Sequence, residues 1–155
     1  MQLMQLKSIT AKHLALASQC LSVQMMLIPG IQEHIKVHLP AKKHVLLNDL
    51  DRVVQDYTVH QQEISQKFVA ILRERVQVHS RTLKALDWKD DNLVVPTPAM
   101  TALVKETTTL HKVLSQILPS ETVTQIFQNV FFMMNTKLPE YFTNFSIPTQ
   151  SSKKR

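Results

Sequence analysis

The residues best equipped for chemistry are seven histidines, one cysteine and two groups of aspartates in a chain of 155 residues. His34 and His38 stand four apart, a spacing that turns two imidazoles to one side of a helix and can chelate zinc. A metalloprotease helix would place glutamate directly after the first histidine, but Ile35 occupies that position and Glu33 precedes His34. A third ligand would have to be His44, across Pro40, with no thiolate at hand, so no metal site is expected. Cys20 has no second cysteine to pair with, and Leu16, Val23 and Leu27 share its helical face. It reads as a small buried hydrophobe rather than a redox thiol. Asp49, Asp51 and Asp56 open toward Arg52 as a solvated flank, and Asp87, Asp90 and Asp91 share a loop with Lys89. Neither group implies a pocket, and no Gly-x-Ser-x-Gly elbow accompanies them. The chain is expected to have no catalytic residue, no cofactor and no small-molecule substrate.

A single glycine, Gly30, narrows the field further. Phosphate cradles and dinucleotide fingerprints need several glycines to wrap backbone around an anion, and sandwiches and barrels need them in turns. Net charge is +6, yet half of it belongs to Lys153, Lys154 and Arg155 at the end of the chain. Aromatic residues are 6% and do not interleave with basic ones, so nucleic acid is not the expected partner. Lys36, Lys42, Lys43 and Arg52 could form a basic patch where two helices meet, suited to a partner or to anionic membrane. The start of the chain lacks a basic run and a small-residue cleavage site, so no secretory signal is expected.

These side chains would be positioned by helices. Residues 8–28 read as the first, with Ser8 as its cap and two adjacent apolar stripes. One stripe contains Leu16, Cys20, Val23 and Leu27, and the other Leu14, Leu21, Met25 and Ile28, which predicts packing on more than one side. Pro29-Gly30 should kink this helix rather than end it, and Leu14 to Ile31 carries too many Ser and Gln residues to predict a bilayer span. From Ala41 to Leu86 there is neither Gly nor Pro. There Leu47, Leu50, Val54, Tyr57, Gln61, Ile64, Phe68, Ile71, Arg75 and Val78 form a heptad seam broken only by Gln61 and Arg75. A helix of that length does not fit inside a globule about 40 Å across, so a rod is expected. Thr97-Pro98 should start a third helix over 98–118, and Pro119-Ser120 a turn into a fourth over 120–138 with Ile126, Phe127 and Val130 inward. Leu16, Cys20, Leu50, Val54, Tyr57, Ile64, Phe68, Ile71, Ile126, Phe127 and Val130 form the expected core. The fold class is all-α, an elongated bundle of four to five helices over 8–147, with a flexible start at 1–7 and a disordered basic tail at 148–155.

Three stretches carry a resemblance. Residues 7–21 (Lys-Ser-Ile-Thr-Ala-Lys-His-Leu-Ala-Leu-Ala-Ser-Gln-Cys-Leu) resemble the opening of the C-terminal domain of the vacuolar protein sorting-associated protein 54 family. Asp56-Tyr57, His60 and Glu63-Ile64-Ser65 with Val69-Ala70-Ile71 resemble its long helix, and Val95-Pro96-Thr97-Pro98, His111 and Leu118-Pro119 its connector and next turn. The sequence departs from the family at His13, at Gly30 and over residues 74–92. The resemblance implies a non-catalytic subunit domain of the Golgi-associated retrograde protein complex, which tethers endosome-derived carriers at the trans-Golgi network before SNARE-mediated fusion. It implies other tether subunits as partners through regions outside this chain, SNARE proteins and endosomal membrane as further partners, and a peripheral place on the cytosolic face of the trans-Golgi network and endosomes. Independently of the resemblance, the 47–78 seam also allows a self-associating coiled-coil adaptor.

Overall fold

A computed structural model of the chain describes residues 10–86 and 96–143. Within them, α1 (Ala11–His38) leads through a 3-10 segment (Ala41–Leu47) into α2 (Asn48–Lys84), followed by α3 (Pro98–Ser115) and α4 (Ser120–Thr143). No strand occurs among the described residues. The fold is an all-α helical bundle. Its spine, α2, has 37 residues and so runs about 56 Å, longer than the diameter of a compact globule of this size. Ser8, Trp88, the aspartates at 87, 90 and 91, Phe145, the basic tail and the expected domain boundaries at 7–8 and 147–148 lie outside the described residues.

Local chemistry sets the helix limits. Thr10 caps α1, and its backbone N–H donates to His13 Nδ1 at 3.2 Å. The imidazole thus takes the part a glutamate plays in a capping box. Thr97 Oγ1 accepts the backbone N–H of Met100 and Pro98 fills the first position of α3, as its sequence predicts. Both interior prolines are absorbed. α1 runs unbroken through Pro29, and α4 runs through Pro139 to Thr143, five residues beyond the expected end. Each proline removes one helical hydrogen bond, but both are exposed, so water can serve the freed carbonyls. The expected long helix from Ala41 begins instead as a 3-10 stretch and turns α-helical at Asn48.

The core sits where the C-terminal half of α2 meets α3 and α4. Phe68, Leu72 and Val76 pack with Leu103, Leu110 and Leu114 of α3 and with Ile126, Phe127 and Val130 of α4. A smaller cluster joins Leu83 to Ala99, with Leu86, Met100 and Phe142 around it. The heptad seam holds through Ile64 and Phe68 and then gives way. Beyond Phe68 the buried positions are Leu72, Val76, His79, Ser80 and Leu83, while Ile71 and Arg75 are half-buried and Val78 is exposed. A straight α-helix drifts about 20° per heptad from a 3.5-residue repeat, and the partners of α2 also change along its length from α1 to α3 and α4.

The first helix corrects the expected core. Leu16 is 45% exposed and Cys20 is exposed, as are Val23 and Leu27. α1 instead turns small residues inward, with Ala15 and Ser18 fully buried and Leu14, Leu21, Met25 and Ile28 partly covered. Small side chains let α1 approach α2 closely, and that choice rotates Leu16 and Cys20 to the outside. Leu50, Val54 and Tyr57 are half-buried beneath α1.

Candidate functional site

Polar residues tie the helices together at the two places where the seam lacks an apolar residue. Gln61 Nε2 donates to the Ser18 carbonyl at 3.2 Å and to Ser22 Oγ at 2.5 Å, joining α2 to α1. About three turns back along α2, Gln32 of α1 donates to Asp51 Oδ1 at 2.9 Å and, just before the helix begins, to the Leu47 carbonyl at 3.3 Å. Arg75 makes a forked contact with Glu106 of α3, through Nε at 2.9 Å and Nη2 at 2.5 Å, and His79 Nε2 lies 3.0 Å from the same carboxylate. Hydrogen bonding from Arg75, opposed by burial and helped by His79, lowers the Glu106 carboxyl to about 2. The sequence reading passed over Glu106 and His79. Their signal was Arg75 itself, a cation in an apolar register that has to find a carboxylate.

The histidines do not assemble. His34 and His38 are exposed and stack edge to face with ring centroids 5.2 Å apart, and His44 Nε2 turns to the Leu39 carbonyl at 3.0 Å. No group of three potential ligands forms among the described residues. The open grooves carry little acid–base chemistry. One, of 460 Å³ between α3 and α4, is lined by Thr107, His111, Phe127 and Phe131, and another, of 540 Å³ along α2 and α3, holds the Arg75–Glu106 pair.

The basic patch is only partly free. Lys36 pairs with Glu33 at 3.3 Å and Arg52 with Asp49 at 3.9 Å, each within its own helix. Lys42 and Lys43 are exposed and meet no carboxylate among the described residues. Beside them lies an exposed apolar surface, the outer face of α1. Leu16, Val23, Met26, Leu27, Ile31 and Ile35 are exposed there, and Val37, Val45 and Leu46 continue the apolar surface toward the 3-10 segment. By length and composition α1 is apolar enough to cross a membrane, against the expectation from its Ser and Gln residues. Ser18, Ser22 and Gln32 are turned toward α2, while Gln24 is the exposed polar residue amid the apolar ones of the outer face.

The family model described as Vps54-like protein matches residues 1–75. The chain is 36% identical to vacuolar protein sorting-associated protein 54, chloroplastic, of Arabidopsis thaliana over all of its own length and 16% of that protein. It is 33% identical to vacuolar protein sorting-associated protein 54 of Mus musculus over 84% of this chain and 13% of the relative, and 32% identical to the Homo sapiens one over the same shares. The chain therefore spans about one-sixth or less of these relatives. No solved structure matches it.

Proposed function

Because this chain belongs to the Vps54 family and matches its C-terminal domain, we propose that it is a non-catalytic domain of a vesicle-tethering subunit, serving retrograde transport from endosomes to the trans-Golgi network. The observation that carries this reading is similarity along the whole chain to a vacuolar protein sorting protein, at 36% identity. The physical character of the domain supports it. A long helical bundle with open grooves and a broad apolar helix face is built to bind another surface. In this reading the domain engages endosomal membrane or partner proteins at the cytosolic face of the trans-Golgi network and endosomes. The other subunits of the Golgi-associated retrograde protein complex are met through regions outside this chain, and SNARE proteins are further partners in this reading.

The test is a chimera in which this chain replaces the matching segment of a Vps54 relative, expressed in cells that lack that relative. A recycling receptor should return from endosomes to the trans-Golgi network. Retention of the receptor in endosomes, with the chimera folded and co-purifying with the tether subunits, would overturn the proposal. The rival reading, a coiled-coil adaptor that pairs through the 47–78 seam, is disfavoured because Ile64 and Phe68 are already buried by the chain's own helices. Sedimentation equilibrium should give a monomer.

A further inference from the structure

The outer face of α1 combines two features that rarely coincide on a soluble helix. At about 100° per residue, the exposed apolar side chains from Met26 round through Leu16, Val23, Leu27 and Ile31 to Ile35 cover about half the circumference. The central stripe, Leu16 to Ile31, runs about 22 Å along the axis. Basic residues stand at its ends, Lys12 and His13 before it, and His34 and His38 after it, with Lys42 and Lys43 just beyond in the 3-10 segment. The only carboxylate of α1 is Glu33, and Lys36 already neutralises it.

We propose that this face of α1 lies flat on an anionic lipid surface, with Leu16, Val23, Leu27 and Ile31 among the acyl chains and Lys12, Lys42 and Lys43 at the headgroups. The proposal rests on the membrane-engaging reading given above and names the surface and the lipid class. Breadth and charge select this occupant. A single partner helix covers an apolar stripe about 100° wide, and would leave Met26 and Ile35 in water. An antiparallel second copy would bring Glu33, the one carboxylate of α1, near Lys12, but Glu33 is already paired with Lys36, and a parallel copy brings none. A bilayer interface takes up a wide apolar arc, and its anionic headgroups answer lysines that have no carboxylate among the described residues. Since α2 and α3 pack on the opposite side of α1, the rest of the bundle leaves this approach open.

Flotation of the whole chain with vesicles of phosphatidylcholine, with and without phosphatidylserine, tests this. The chain should float with the mixed vesicles and be released by salt. Leu27→Asp with Ile31→Asp should lower partitioning at least tenfold, and Lys42→Glu with Lys43→Glu should lower it about fivefold for each charge. Both pairs are surface positions, so an unchanged thermal unfolding midpoint separates lost binding from lost folding. Failure to float with anionic vesicles, or flotation indifferent to Leu27→Asp with Ile31→Asp, would overturn the proposal. So would sedimentation showing a dimer that the same pair dissolves. Such a failure is distinguishable from failure of the tether reading, because receptor recycling by the chimera is a separate measurement.

Discussion

From Ile64 to Leu83, α2 faces α3 and α4 through Phe68, Leu72 and Val76, none more than 2% exposed. From Leu50 to Gln61 it faces α1 instead, through half-buried Leu50, Val54 and Tyr57 and through the amides of Gln61 and Gln32. One end of the spine is held by apolar density. The other is held by half-buried apolar contacts and by hydrogen bonds from Gln61 and Gln32, while Leu16, Val23 and Leu27 of α1 point outward. The difference separates two uses of hydrophobic surface. In the α3–α4 half it stabilises the fold, and along α1 it is left exposed by the described helices.

The largest test of that contrast is a matched pair of glutamines. Val130 is fully buried, and Val130→Gln should cost about 2–5 kcal/mol, because it removes packing and strands an amide in the core. Leu27 is 51% exposed, and Leu27→Gln should change stability by no more than about 0.5 kcal/mol. Thermal or urea unfolding of both checks the pair. Equal losses would mean that the outer face of α1 is covered within the chain.

The Arg75–Glu106–His79 cluster is the polar tie on the dense side. Glu106 is held at about 2 in the fold, below the usual carboxylate range, so its contribution is complete above a pH of about 4.5 and fades as pH falls toward 2. Glu106→Gln should cost about 1–2 kcal/mol near neutral pH, an amount reduced by the solvent that screens a partly exposed pair. The difference from the parent chain should close as pH falls toward 2, and urea unfolding across that range reads it directly. On the other side, Gln61→Ala removes both hydrogen bonds to α1 and should cost about 1 kcal/mol, with no dependence on acid pH. If the Gln61 loss were the larger, the ordering of the two interfaces would be reversed.

Much of the fold was legible in particular residues. Thr97-Pro98 announced the start of α3, and the inward register of Ile126, Phe127 and Val130 followed from apolar spacing alone. The interruption of the seam at Gln61 and Arg75 marked the positions that hydrogen-bond across to α1 and α3. The orientation of α1 was not legible. Its two apolar stripes are equally plausible to a pattern, and the outcome turned on how closely Ala15 and Ser18 let two backbones approach, which depends on α2. The register beyond Phe68 was hidden for a related reason, since a heptad repeat says nothing of which partner takes over along a helix. Of the candidate contact residues, Lys36 and Arg52 proved to have acidic neighbours three residues back. That leaves Lys42 and Lys43 as the cations available to a partner surface, beside an apolar face that had been assigned to the core.

The smallest expected effect concerns Gly30, the only glycine in the chain, in the exposed part of α1 just after Pro29. A glycine in a helix interior costs about 0.5–1 kcal/mol relative to alanine, because the unfolded chain has more freedom to lose. That cost would be justified if a side chain were excluded there, but a Cβ at position 30 would meet nothing within 4 Å. Gly30→Ala should therefore stabilise the chain by about 0.5–1 kcal/mol, read as a higher thermal midpoint. If the α1–α2 contact, and not the α3–α4 core, is the first part of the domain to open, the gain should appear in the local opening of α1, because the glycine recovers its entropy in that open state. Hydrogen exchange separates the two cases. If α1 opens before the core, its amides in Gly30→Ala should slow while those of Leu110 and Val130 stay unchanged. Uniform slowing across all four helices would mean that the two halves of α2 unfold as one unit, and that their different surroundings have no counterpart in stability.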